Sequence, residues 1–72
     1  MDKGFYLDKV EIFEILLQVD DNDLKNMCSM NKMTANICRS EYFWEQRSQW
    51  KKPHIVANKP EDMTWSQWYK IN

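Results

Sequence analysis

His54, Cys28, Cys38 and the run Asp20-Asp21-Asn22-Asp23 are the residues of this 72-residue chain whose types can do chemistry. A histidine activates a nucleophile only when a Ser or Cys lies within reach. His54, the single histidine, sits between Pro53 and Ile55 with no such neighbour in sequence. It reads as an ordinary loop histidine, and no enzyme is expected. Two cysteines and one histidine fall short of the four ligands of a structural zinc site. A calcium loop needs glycine at its sixth position and glutamate at its twelfth, and counted from Asp21 those fall on Asn26 and Lys32. No catalytic residue, metal or cofactor is therefore expected, and the acidic run reads as helix capping.

The elements that hold these residues are helical. One Gly and two Pro leave little turn chemistry for hairpins, and no stretch sustains a two-residue alternation. Asp8, with Glu11 three residues on, forms a reciprocal capping pattern that starts a helix running to about Gln18. The acidic run gives a turn and the N-terminus of a second helix carrying Leu24, Met27 and Cys28 on one face. A third helix spans about Lys32 to Cys38, with Asn31 as cap or break. Ser40 caps a fourth, about Glu41 to Lys51, which Pro53 ends. Residues 53–63 read as a loop between Pro53 and Pro60. Thr64 with Gln67 then caps a terminal helix from Trp65 to about Ile71, too short to stand alone. It must dock, by pressing Trp65, Trp68 and Tyr69 around Phe43, Trp44 and Trp50. The expected fold is all-α, a small bundle of about five short helices, with residues 1–52 as its body and 53–72 packed on the same core.

Four Trp, three Tyr and three Phe supply core volume that a chain of this size otherwise lacks. A core this small contributes only about 3 to 5 kcal/mol. The net charge of −1, with no long block of like charge, argues against nucleic acid or an anionic membrane as partner. The first residues show no secretion signal and no apolar run approaches a membrane span, so an intracellular protein, cytoplasmic or nuclear, is expected. In that compartment Cys28 and Cys38 are expected as reduced core thiols. Met27, Met30 and Met33 recur every three residues and fit either an adaptable binding surface or a gap-filling core.

The first helix carries more apolar surface than one core needs. At 100° per residue from Val10, its apolar positions span roughly 220°, against the roughly 100° that faces the core in an ordinary surface helix. Glu11, Glu14 and Gln18 make its one coherent polar face. Either the helix is the centre of the bundle, wrapped by the other four, or its extra flank binds a partner. The short chain favours the partner.

Read in order, Leu7-Asp8, the Ile-Leu pairs of the first helix, Asp23-Leu24, Asn31-Lys32 and Tyr42-Phe43-Trp44 match the parts of an F-box at their spacing. Residues 7–44 resemble that family. Residues 59–69 look like the tail that follows F-box-like domains in proteins of large DNA viruses infecting protists. The resemblance implies a three-helix core and an adaptor function: binding the Skp protein and, through it, a cullin-type ubiquitin ligase that receives a substrate protein. Position by position, it places Leu7, Asp8, Ile12, Ile15, Leu16, Val19, Asp23, Leu24 and Lys32 in the Skp contact set and matches Trp44 to the tryptophan of the closing segment. Because Trp is usually highly buried, Trp44 is expected in the core rather than at the contact. Asp8 replaces the family's proline, Val10 its usual glutamate, and Thr34 a tryptophan often found in the third helix. The substrate is not indicated, and the chain is expected to be either a domain of a longer protein or a stand-alone adaptor. If it stands alone, the Trp65-Trp68-Tyr69 surface is the candidate for recruiting one.

Two other functions remain open. The extra apolar flank can meet its own copy in a self-associating module. The close pair of helices from Asp21 to Cys38 has the outline of a helix-turn-helix, although a pI of about 5.7 leaves no basic footprint for nucleic acid.

Overall fold

The computed structural model describes residues 9–72. Leu7 and Asp8, and with them the expected cap of the first helix, lie outside the described residues. Five α-helices follow in order: α1 Lys9–Gln18, α2 Asp21–Cys28, α3 Lys32–Cys38, α4 Glu41–Lys51 and α5 Trp65–Ile71. Among the described residues there is no strand, so the fold is a small all-α bundle.

Each junction is written locally. Asp20 caps α2 by accepting from the Asp23 N–H at 2.8 Å. Asn31 and Thr34 cap α3 reciprocally, the side chain of each accepting from the other's backbone N–H at 3.0 and 3.3 Å. Ser40 caps α4. Thr64 and Gln67 form the expected capping box of α5 at 3.1 and 3.0 Å, and Glu41 of α4 accepts from the Trp65 N–H at 2.9 Å. These bonds satisfy amides that a helix start leaves without intrahelical partners.

Three expectations are corrected, and the alternative that α1 is the centre of the bundle is excluded. Part of the expected loop is a 3-10 helix, Pro53–Asn58, with Ile55 buried. Proline at its first position supplies the required φ and gives up an N–H that would have had no partner. Cys28 and Cys38 are joined in a disulfide, not reduced. They end α2 and α3, and the short turn between those helices brings their Cα atoms to 5.9 Å, within bridging range. Closing so short a loop contributes about 2 to 3 kcal/mol, comparable to what a core of this size supplies. Trp50 is 63 % exposed and takes no part in docking α5. Finally, α1 is not the centre of the bundle. That place belongs to α4, which packs against α1, α3, the 3-10 helix and α5.

The sequence of α4 explains its position. Phe43, Trp44, Arg47, Ser48 and Lys51 fall within about 140° of arc, and the first four are buried. Phe43 meets Phe13 of α1 edge-on at 5.4 Å and Trp44 meets Tyr69 of α5 at 5.2 Å. Trp44 Nε1–H donates to the Cys38 carbonyl at 2.6 Å and Trp68 Nε1–H to the Ile55 carbonyl at 2.7 Å, so both indoles pack without stranding a donor. Leu16, Leu24 and Ile37 complete the core beside these rings.

Arg47 is the exception on this face, a fully buried cation. A helix leaves its last four carbonyls without intrahelical partners. In α1 the chain turns away after Gln18, and Arg47 supplies what is missing. It donates through Nη1 to the carbonyls of Leu16 and Leu17 and through Nη2 to that of Val19, each at 2.8 Å. Lys51, one turn along α4, donates to the Gln18 carbonyl at 2.7 Å. Two cations thus occupy the negative end of the α1 dipole. Replacing Arg47 by Met keeps similar volume and removes the donors. Urea denaturation is expected to show a loss on the order of 3 kcal/mol, enough to leave much of the chain unfolded. Wild-type stability in that variant would mean that the carbonyls find other partners.

Candidate protein-docking surface

The same cation organises the start of α2. Arg47 Nη2 pairs with Asp21 Oδ1 at 2.9 Å, and the Tyr69 hydroxyl donates to that same oxygen at 2.8 Å. The guanidinium also lies 5.5 Å from the centre of the Tyr69 ring. The hydrogen bond from Arg47 holds the Asp21 carboxyl below the usual carboxylate range, with the Tyr69 hydroxyl assisting and desolvation opposing. Burial pushes the Tyr69 phenol above its ordinary value, and its bond to Asp21 adds to this. This network fixes where α1 ends and therefore which of its faces remains open.

Of the expected contact set, Leu7 and Asp8 lie outside the described residues, and each of the other seven has a definite place. Leu16 is fully buried and Leu24 is 4 % exposed, so both belong to the core and neither can reach a partner without opening it. Ile12 and Val19 are half-buried against that core, and Ile15 is 39 % exposed. Ile12 and Ile15, at positions i and i+3, share the outer flank of α1, and Val19 in the turn that follows continues that line. Asp23 is exposed in the first turn of α2, and Lys32 is exposed at the first position of α3. The fold therefore brings Ile12 and Ile15 of α1 and Val19 of the following turn to one side and assigns the two leucines to the core beneath them.

On the other flank of α1 a second apolar surface opens, one that sequence reasoning did not single out. Val10, 66 % exposed, borders a groove of about 560 Å³ between α1, α3 and the start of α4. Its walls include Phe13, Leu17, Ile37 and Tyr42. Tyr42 stacks on Phe13 at 5.8 Å while remaining mostly exposed. A signal for it existed: with Phe43 and Trp44 turned inward, a residue one step earlier points outward. The methionines divide between the two roles open to them, with Met27 packed against the core and Met30 and Met33 exposed.

Most of the reactive side chains singled out in the sequence have structural duties. Asp20 caps α2, Asp21 belongs to the Arg47 network, the cysteines are bridged, and His54 is exposed on the 3-10 helix. Among the described residues no three His, Cys, Asp or Glu side chains are grouped to hold a metal, and no helix is long and apolar enough to cross a membrane. No protein-family model, curated protein or solved structure matches the chain.

The two shifted groups set opposite ends of a pH profile. Because the folded Asp21 carboxyl has a lowered pKa, its contribution is present above the unfolded value of about 3.9 and is lost as pH falls through the folded one. Because the folded Tyr69 phenol has a raised pKa, its contribution is present below about pH 10 and is lost as pH rises through the folded value. Asp21→Asn is expected to flatten the acid limb of a stability-against-pH curve while leaving the alkaline limb largely in place. Identical acid limbs in the two proteins would show that Asp21 does not couple folding to pH.

Proposed function

We propose that this chain is a protein-interaction adaptor of the F-box kind, which binds Skp through the outer flank of α1 and so links a substrate protein to a cullin-type ubiquitin ligase. The observation that carries the proposal is the exposed Ile15, flanked by the half-buried Ile12 and Val19, on a helix that buries only Leu16 completely. Apolar side chains in a row on one helix are what a helical partner covers, and truncating or charging the central one removes most of such an interface's affinity. Asp23 and Lys32 stand exposed at the starts of the next two helices, where the resemblance places polar contacts.

The departures from the family have local readings. Thr34 is buried and closes the capping box with Asn31, so it holds the start of α3 in place of the bulky ring. Val10 adds apolar surface where the family usually carries glutamate, which makes α1 less polar at its start.

Ile15 is the side chain to change, because Leu16→Asp would bury an unpaired charge in the core and unfold the chain. Mixed with Skp, the wild-type chain is expected to co-elute, and Ile15→Asp to weaken the complex by roughly a hundredfold or more with its thermal melt preserved. Failure of the wild-type chain to co-elute at micromolar concentration, or an indifferent Ile15→Asp, would remove the reading.

A second reading rests on the other flank. Val10 and Tyr42, both more than half exposed beside an apolar groove, favour self-association. Sedimentation over a range of concentrations should then show a dimer that Val10→Asp dissociates and Ile15→Asp leaves intact. A monomer throughout the range excludes it.

A further inference from the structure

A second cavity, of about 520 Å³, lies where α2, the end of α3, the end of α4 and α5 meet. No residue of α1 lines it, so it is separate from the docking flank. The Cys28–Cys38 bridge, Leu24, Trp44 and Tyr69 line it. Three lysines border it, each from a different segment: Lys25 in α2, Lys52 at the C-cap of α4 and Lys70 in α5.

Their partners decide what the cavity can hold. Lys52 is committed, since its ammonium donates to the Tyr69 carbonyl at 3.1 Å and sits 4.2 Å from the centre of the Tyr69 ring. Lys70 rests over the Trp44 ring at 5.3 Å, a contact that holds the ammonium at the cavity and leaves its charge unpaired. Lys25 has no carboxylate partner either. The single ion pair among the described residues is that of Arg47 with Asp21. Asp21 is also the one acid bordering the cavity, and its Oδ1 is already shared between the Arg47 guanidinium and the Tyr69 hydroxyl. In a chain whose net charge is −1, positive charge is concentrated here against an apolar wall.

We infer that this cavity binds a small organic anion, a planar apolar body of one or two rings bearing a single carboxylate or comparable group, with Lys25 and Lys70 clamping the charge and the disulfide and rings covering the body. The volume lies within the range of about 300 to 1,000 Å³ typical of small-molecule sites, and apolar walls with a few convergent polar groups are their usual make-up. A metal cation is repelled by the lysines. A neutral ligand of the same shape would cover two ammonium groups and return nothing for their lost hydration. A bare inorganic anion would leave the apolar wall uncovered.

The test uses the intact oxidised chain with 2-naphthoate, its neutral counterpart 2-naphthamide, and inorganic phosphate as probes, followed by amide chemical shifts and calorimetry. Expected is saturable binding of 2-naphthoate with shifts centred on Lys25, Cys28, Cys38 and Lys70, and affinity for the amide and for phosphate lower by about tenfold or more. The double variant Lys25→Gln, Lys70→Gln should lose about tenfold toward 2-naphthoate and nothing toward the amide, with the cooperative melt kept and lowered only slightly by the lost contact of Lys70 with the Trp44 ring. Equal binding of acid and amide, an indifferent double variant, phosphate binding as tightly as 2-naphthoate, or shifts centred instead on Val10 and Tyr42 would each overturn the assignment.

Discussion

A guanidinium buried at the end of α1 ties this bundle together. Arg47 reaches four segments at once: the last carbonyls of α1, the carbonyl of Val19 in the turn that follows, the carboxylate of Asp21 at the start of α2, and the ring of Tyr69 in α5. A buried cation is expensive unless its donors are used. Here four hydrogen bonds use both Nη atoms, and Nε is left without a partner. The same bonds satisfy carbonyls that would otherwise lack partners at a helix end. The costs of burying the charge and of ending the helix thus offset one another, which is why a core this small can contain an arginine.

That arrangement sets the surfaces available for function. With the end of α1 pinned to α4, Leu16 points inward, and the apolar arc of α1, wider than the core can cover, overhangs on both sides. One overhang carries Ile15 between Ile12 and Val19; the other carries Val10 toward Tyr42 and the groove. Tyr69, held by Asp21 and by Lys52, brings α5 against Trp44 and closes the wall of the lysine-bordered cavity. A single network therefore supports an open apolar flank on one helix and a cavity among the others.

Most of the helix boundaries were legible in the chain because capping is a short-range contract. Asp20, Asn31, Ser40 and the Thr64–Gln67 pair each act on an amide three residues away, so the pattern is visible without knowing the fold. The 3-10 helix was not legible, since so short an element buries one side chain, Ile55, and leaves no period to detect. The exposed apolar residues of α1 were half legible. Periodicity exposes an apolar arc that is too wide, yet it cannot say which part of the arc meets the core, and so Leu16 and Ile15 look alike until α4 is in place.

The sequence by itself determined an all-helical chain, the places where α2, α3, α4 and α5 start, and a first helix with surplus apolar surface, because each of these depends on residues within a turn or two of one another. Tertiary structure decided the rest. Arg47 lies more than twenty residues from each of its hydrogen-bond partners and Tyr69 lies 48 residues from Asp21, so nothing local marks them as a network. The pairing of Cys28 with Cys38, the burial of Leu16 beside an open Ile15, and the gathering of Lys25 and Lys70 at one cavity likewise depend on which helix ends meet, and that is set by the packing around α4.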